Sequence, residues 1–245
     1  MILFQDSYFT AQFADSEALL HRTHQLRYQV YCVEAGFEPL EQDIAGEEHD
    51  ELDGVSVQFL LTHRESNIDV GCVRLILPGR LEACPFYKVT NKNLDSSLLS
   101  RRGIVSEISR LAISKKFRQR AEDQSSLFGS WSTSAPPRVP YAHRGKISHS
   151  GIVMALYRCL YLYSKTHGIN TWYTLMEPAL SRLLRYSGFT LQSIGKPIVY
   201  RGRQRIPFMA HYQDLANEIA RKNPALWSYL KQDLKWADKK YSFRQ

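Results

Sequence analysis

The sequence predicts an α/β fold: a mixed, mostly antiparallel sheet with helices on both faces. Three observations carry this. Two apolar runs, 57–61 and 70–77, flank a polar turn and read as an antiparallel hairpin. A third apolar run, from about Gly103 to Ser114, reads as another strand. Beyond a long basic interruption, helical and strand patterns alternate to the end of the chain.

Asp15-Ser16 supplies an N-cap for a helix from about Glu17 to Cys32, and Leu19, Leu26 and Val30 recur on one face of it. An acidic loop with Gly36, Pro39 and Gly46 leads into the hairpin, whose second strand stops at Pro78-Gly79. Residues 115–147 hold three prolines and seven bases against two acids, and read as a basic loop inserted into the fold. Ser148 to His167 then keeps Ile152, Leu156, Leu160 and Tyr163 on one helical face, with Gly168 as C-cap. Asn170 to Met176 is a strand. Pro178 opens a short helix that ends near Ser187-Gly188. Phe189 to Ile194 and Ile206 to Tyr212 are the last strands. The tail from Gln213 is helical, broken near Asn223-Pro224, with Trp227 and Trp236 giving it an amphipathic look.

Composition narrows the function classes. No apolar run reaches the roughly 18–20 residues of a spanning helix, and the first residues lack a secretory pattern, so a cytoplasmic location is expected. The net charge is +8 and unevenly spread. Nine of the 24 acids lie between Glu34 and Asp53, a stretch without Lys or Arg, which leaves 15 acids against all 32 bases elsewhere. That field suits a phosphorylated ligand, a nucleic acid, an anionic membrane touched peripherally, or an acidic protein. Nucleic-acid motifs are absent, so no such partner is expected. The cysteines (Cys32, Cys72, Cys84, Cys159) form no CxxC pair, and a disulfide framework or zinc knuckle is not expected. There is no P-loop, no GxGxxG after a strand, no HExxH and no GxSxG. His21 and His24 share a helical face without a third ligand, so no metal is expected.

Charged residues inside apolar strands stand out instead. Arg74 points the same way as Val70, Cys72 and Ile76, and a buried guanidinium needs a carboxylate. The acidic loop offers Asp50 and Asp53, the natural partners of Arg74 and Arg27 in a structural ion-pair cluster. Glu107 and Arg110 are three apart, so in a regular strand they point to opposite faces. A β-bulge between them would bring both to one site and free backbone groups for a ligand.

The set RYQVYCVE, HDELD, VGCVRLILP and SEISRLAI resembles the acyl-homoserine-lactone synthase branch of the GNAT acyltransferase superfamily. Within that branch it is most similar to the long-chain N-acyl amino acid synthases and the PEP-CTERM/exosortase system-associated acyltransferases. The motifs run through residues 27–113 in the family's order. The resemblance implies a GNAT-like domain over 1–212 with the basic insertion at about 115–147, and a helical extension over 213–245. It implies catalytic roles at Glu107 and Arg110, and substrate contacts at Arg27, Tyr31, Phe37 and Ser109. In the lactone synthases an aromatic, often Trp, helps form the adenosylmethionine pocket, and Phe37 is the nearest equivalent here.

The implied activity is N-acyl transfer of a long-chain fatty acyl group to the amine of an amino acid or related small molecule, with no tightly bound cofactor. Glu107 would serve as general base, with bulge amides and Arg110 near the oxyanion. Arg27, one helical turn before Tyr31, would suit an acceptor carboxylate. Residues 115–151 lack the Gly-rich [RQ]xxGx[GA] loop that many GNAT enzymes place on the CoA pyrophosphate. An acyl-phosphopantetheine donor on acyl-carrier protein is therefore expected first, and acyl-CoA second. Carrier proteins are acidic, and Lys115, Lys116, Arg118, Arg120, Arg138, Arg144 and Lys146 offer a complementary surface. Two other functions remain open: a lactone synthase using S-adenosylmethionine, and a catalytically silent domain that binds acyl-carrier protein.

Overall fold

A computed structural model of the chain describes residues 1–37, 46–79, 81–99, 103–117, 142–143, 146–147 and 149–232. Two short strands that the sequence reading did not assign, β1 (Ile2–Gln5) and β2 (Phe9–Phe13), open the chain. Asp6 Oδ1 accepts the N–H groups of Tyr8 and Phe9, each at 2.8 Å, and so makes the turn between them.

Helix α1 (Glu17–Tyr28) starts at Ser16, whose hydroxyl accepts the Leu19 N–H. The predicted helix runs on to Cys32, but its last turns loosen into a π-turn over Gln29–Glu34 that sets the direction of Tyr31. The hairpin follows as β3 (Ser56–His63) and β4 (Ile68–Gly79). Next comes α2 (Pro85–Thr90), which the sequence reading also left out, and then β5 (Ile104–Ile113). Beyond it lie a two-strand ribbon, β6 (Ala142–His143) with β7 (Lys146–Ile147), and the long helix α3 (His149–His167).

The remainder is β8 (Ile169–Met176), α4 (Pro178–Tyr186), β9 (Gln192–Ser193), β10 (Ile198–Tyr200), β11 (Arg203–His211), α5 (Tyr212–Lys222) and α6 (Pro224–Leu230). The strand predicted over Phe189–Ile194 shrinks to the two residues of β9. The next predicted strand begins earlier, at Arg203, and pairs with the unanticipated β10. The helical break at Asn223-Pro224 is where the sequence places it, with Asn223 capping α6.

The main sheet runs β1-β2-β3-β4-β5-β8-β11-β10, with β9 beside β11. Every pairing is antiparallel except β5 with β8, which is parallel, so the sheet is mixed and mostly antiparallel as the sequence predicts. Helix α1 covers β3, β4 and β5 on one face, and α3 packs β2, β3, β4 and β8 from the other. Gly71 permits close packing of α3 on β4, since a side-chain carbon there would meet Ile152 and Leu156 at 3.2 Å. The main core joins both layers, while a smaller cluster of Leu81, Cys84, Phe86, Val105, Tyr173, Ile194 and Met209 fills the sheet face under α2. All four cysteines are free and buried. Among the described residues, no helix is long and apolar enough to cross a membrane.

Two features of β5 shape the site. Cys72 pairs with Ala112 and Arg74 with Ser109, so two residues of β5, Arg110 and Leu111, stand opposite Val73. The predicted bulge thus exists, but it sits at Arg110 rather than between Glu107 and Arg110. Arg110 takes a φ of 49°, in the left-handed region, to make it. The second feature is where β5 leaves β8. Their pairing ends at Ile108 with Thr174, while β5 continues to Ile113. The strands therefore part at Ser109, and a small cavity of about 50 Å³ opens there, walled by Tyr31, Ser109, Leu111, Leu175 and Leu180 among others.

Candidate active site

Pairing register places Glu107 beside Tyr173 and Tyr173 beside Met209, so all three face the same side of the sheet. Ser109 and Arg74, paired with each other, share that face. On it lies a cavity of about 160 Å³, whose wall includes Tyr31, Phe37, Arg74, Phe86, Glu107, Ser109, Arg110 and Arg205.

One side of the cavity is an ion-pair layer. Arg27 Nε donates to Glu48 Oε2 at 2.6 Å, and its Nη1 donates to Asp53 Oδ1 at 2.7 Å and Gln58 Oε1 at 3.0 Å. Arg74 Nη1 donates to the same Asp53 oxygen at 2.7 Å, its Nη2 to Asp50 Oδ2 at 3.1 Å, and its Nε to Ser109 Oγ at 3.0 Å. Arg110 Nε donates to Glu48 Oε1 at 3.0 Å and its Nη2 to Asp50 Oδ2 at 3.1 Å. Three guanidiniums thus interlock with three carboxylates, and such a buried set holds together only because each charge meets its opposite.

The acids are placed by a short 3₁₀ turn, Glu51–Val55, which Asp50 and Asp53 also cap: Asp50 Oδ1 accepts the Leu52 N–H and Asp53 Oδ2 the Asp50 N–H. Burial alone would raise the carboxyls. The guanidiniums of Arg27 and Arg74 overcome it and hold Asp53 at about 2, and Arg110 and Arg27 hold Glu48 below its ordinary value.

Asp50 and Asp53 therefore meet Arg74 and Arg27 as the sequence suggests, but Glu48 is the joint between Arg27 and Arg110. Sequence reasoning did not single it out from a run of nine acids. Arg27, expected to contact the substrate, is 0% exposed, lies behind the residues that line the cavity, and gives its Nε and Nη1 to the ion-pair layer. Arg110 turns toward Glu48 and Asp50, which leaves Glu107 in a different environment.

Glu107 is 6% exposed, and its Oε2 accepts the backbone N–H of Phe86 at 2.9 Å. Helix α2 presents that amide. Burial pushes the carboxyl up to about 7, with the Phe86 amide, Arg74 and Arg110 only partly pulling it back. A carboxyl poised near neutrality on a cavity wall can take or give a proton at working pH.

Tyr31 lines the cavity and donates its hydroxyl to Leu111 O at 3.0 Å, fixing the bulge. Burial raises that hydroxyl's pKa, so it stays protonated and a donor. The ring of Phe37 lies 6.3 Å from that of Tyr31, with the guanidiniums of Arg203 and Arg205 above it at 5.3 and 5.8 Å. Tyr31, Phe37, Ser109, Glu107 and Arg110 are thus gathered on one cavity, as the sequence groups them.

Lys115 and Lys116 lie exposed in a 3₁₀ turn just beyond β5. Arg118, Arg120, Arg138, Arg144 and the side chain of Lys146 fall outside the described residues. Sequence reasoning also missed the arginines of the β10–β11 hairpin, Arg201 and Arg205, which close the far side of the cavity.

Comparison with known proteins bears on the fold. Residues 26–126 match the family model described as an acetyltransferase (GNAT) domain. No curated protein matches the chain. Among solved structures, TofI in a ternary complex with an inhibitor and MTA is similar with a TM-score of 0.61 at 16% identity, over 88% of this chain and 98% of that one. BjaI, a CoA-dependent acyl-homoserine lactone synthase solved with SAM and isopentyl-CoA, gives 0.54 at 15%, over 90% and 96%. FeeM, an N-acyl amino acid synthase from uncultured soil microbes, gives 0.56 at 11%, over 86% and 95%. At such identities the likeness establishes the fold, which is the GNAT fold.

Proposed function

We propose that this chain is an N-acyltransferase that moves a long-chain fatty acyl group from a phosphopantetheine thioester to the amine of an amino acid or related small molecule. The observation that carries this reading is Glu107, a buried carboxyl with a pKa of about 7 on the cavity wall, next to the place where β5 parts from β8.

The parting gives an extended donor arm somewhere to lie, between two strand edges no longer bonded to each other. The acceptor amine enters the larger cavity. A protonated amine is not a nucleophile, so Glu107 takes its proton, directly or through a water, for about 10²–10⁴ in rate. The nitrogen attacks the thioester carbonyl and a C–N bond forms. Backbone amides at the bulge, aided by the charge of Arg110, stabilise the oxyanion. The C–S bond then breaks, and the second proton that the nitrogen sheds on becoming an amide passes to the departing thiolate, which leaves as the thiol, while Glu107 returns its own proton to solvent. Tyr31, Phe37 and Ser109 shape the acceptor side.

Acyl-carrier protein is the preferred donor on the strength of the basic surface beyond β5, with acyl-CoA second. The CoA dependence of BjaI, a protein of the same fold, keeps the second donor in view. The kinship with the PEP-CTERM/exosortase-associated acyltransferases rests on the sequence motifs alone.

The test is to incubate the purified protein with long-chain acyl-carrier protein or acyl-CoA and a mixture of amino acids, and to read products by mass spectrometry. N-acyl amino acids that vanish with Glu107→Gln support the reading, and unchanged product from that variant removes Glu107 as base. A second reading, lactone synthesis from S-adenosylmethionine, draws on the aromatic pair Tyr31–Phe37 at the cavity. Acyl-homoserine lactone and MTA among the products would select it.

A further inference from the structure

We propose that the hydroxyl of Ser109 donates a hydrogen bond to the carbonyl oxygen of the donor thioester, the atom on which the oxyanion forms. This rests on the acyl-transfer reading and deepens it, because it gives Ser109 a part in the chemical step beyond shaping the acceptor side.

Hydrogen-bond accounting is the first argument. Arg74 Nε donates to Ser109 Oγ at 3.0 Å, while its Nη1 and Nη2 donate to Asp53 and Asp50. A guanidinium offers only donors, so Ser109 cannot return its proton to Arg74. Among the described residues the Ser109 side chain makes no other hydrogen bond. Its oxygen is thus pinned from one side, and its proton is left for a group in the cavities that Ser109 lines. A hydroxyl whose oxygen accepts from a guanidinium is also a stronger donor, since linked hydrogen bonds polarise one another.

Elimination is the second argument. Tyr31, Ile108, Ser109, Arg110, Leu175 and Arg205 line both the larger and the smaller cavity. Two of these carry hydroxyls. Tyr31 gives its proton to Leu111 O at 3.0 Å and so holds the bulge. Ser109 is the hydroxyl at the junction of the cavities with a proton to offer.

Position is the third argument. Ile108 with Thr174 is the last rung between β5 and β8, so Ser109 is the first residue of β5 beyond the parting. A donor arm lying in the gap brings its thioester to this point. Glu107 is two residues earlier on the same face of the strand, about 7 Å away along it. That spacing sets the carboxyl beside the attacking nitrogen and the hydroxyl beside the carbonyl oxygen. As the C–N bond forms, negative charge gathers on that oxygen and the Ser109 hydrogen bond strengthens, together with those of the bulge amides. The hydroxyl keeps its proton throughout. When the carbonyl re-forms and the C–S bond breaks, the hydrogen bond weakens again. The ion-pair layer has a use in this step, because Arg74 fixes the oxygen of Ser109 and so limits where its proton can point.

Isotope-edited infrared spectroscopy reads the contact directly. A dodecanoyl thioester with carbon-13 at the carbonyl, carried on CoA and separately on acyl-carrier protein, is bound without any amine to the wild type, to Ser109→Ala and to Ser109→Thr. The carbonyl band should move to lower wavenumber on the wild type, lose much of that shift on Ser109→Ala and keep it on Ser109→Thr, which retains a hydroxyl. Equal shifts on the wild type and Ser109→Ala overturn the proposal, as does the absence of a shift with both donors. A shift lost equally in Ser109→Thr traces the effect to the shape of the strand and overturns it too. In acyl transfer, Ser109→Ala should lower kcat by about 10²–10³ with KM for the donor nearly unchanged. The rate should still rise with pH through about 7, because Glu107 is intact. An unchanged kcat in Ser109→Ala again overturns the proposal. The two levels fail separately. A carbonyl shift that depends on the Ser109 hydroxyl, with no amine acylated, keeps the contact and removes the acyl-transfer reading. Transfer with a shift indifferent to Ser109→Ala does the reverse.

Discussion

The carboxylate of Glu107 accepts the backbone N–H of Phe86 at 2.9 Å, so the first turn of α2 grips the side chain at the centre of the sheet. The grip orients the carboxyl without neutralising its cost of burial, and the pKa rests at about 7. In an amine acyl transfer the group must be ionised to accept a proton. Turnover should therefore rise with pH through about 7 and level off above it. Glu107→Gln, which keeps an oxygen for the Phe86 amide, should lower kcat by about 10²–10⁴ and abolish that rise. A pH–rate profile of both proteins checks this, and an unshifted profile in the variant would assign the ionisation elsewhere.

The same group makes a stability prediction of definite sign. Its folded pKa, about 7, lies above its ordinary value of 4.5. Between those values the folded chain holds a proton that the unfolded chain has released, so stability falls as pH rises across that window. Glu107→Gln removes this loss. The variant should be more stable than wild type by about 1–3 kcal/mol at pH 8 and closely similar at pH 4, as read by urea unfolding. Asp53 works the other way. Its folded pKa of about 2 lies below 3.8, so its contribution is present above that value and disappears as pH falls toward 2.

Much of this arrangement is legible in the sequence, for reasons that can be traced. The hairpin, β5, α3, β8 and α4 carry strong periodicity and punctuation, and each forms near its predicted span. Arg74 had to find a carboxylate, and the parity of Glu107 and Arg110 required a bulge. These deductions needed only chain geometry and the cost of a buried charge. The misses share a different cause. Helix α2 has six residues, too few for a periodic signal, and it owes its place to the small cluster around Phe86 and Tyr173. Strands β1 and β2 are short, and only Phe9, Ala11 and Phe13 alternate inward. In the acidic run, nothing local marks Glu48 as the carboxylate that turns inward. Arg27 drew attention for its charge, but the ion-pair layer claimed it. The Arg201-Gly202 dipeptide between two short polar-apolar runs was a readable turn signal that periodicity alone passes over.

Glu48 joins Arg27 to Arg110, so its removal should be felt on both sides. Glu48→Gln leaves three guanidiniums, those of Arg27, Arg74 and Arg110, sharing the two remaining acids, Asp50 and Asp53. Breaking a buried pair in this way typically costs about 3–5 kcal/mol. The loss should appear as a lower unfolding midpoint in urea with an unchanged slope. Activity should fall as well, because Arg110 anchors the bulge beside Ser109. If Glu48→Gln proves as stable as wild type, the layer is a loose electrostatic neighbourhood rather than an interlocked set.

The proposed preference for acyl-carrier protein can be tested on the surface just beyond β5. Lys115 and Lys116 occupy the 3₁₀ turn that leaves the strand, and the Lys115 N–H is held by the carboxylate of Glu34 at 3.0 and 3.1 Å. The turn is thereby fixed to the end of the π-turn that carries Tyr31, and both lysine side chains remain exposed. An acidic carrier protein delivering its arm to the gap at Ser109 would pass this point. Reversing both charges, with Lys115→Glu and Lys116→Glu together, should raise KM for acyl-carrier protein by about tenfold at low salt, since rim charges act mainly on encounter and are screened as salt rises. The effect should shrink at high ionic strength, and KM for acyl-CoA should change far less. Steady-state kinetics with both donors at two salt concentrations makes the comparison. Equal shifts for the two donors would assign the lysines to the phosphates that both carry, and no shift for either would move the carrier-protein contact away from this turn.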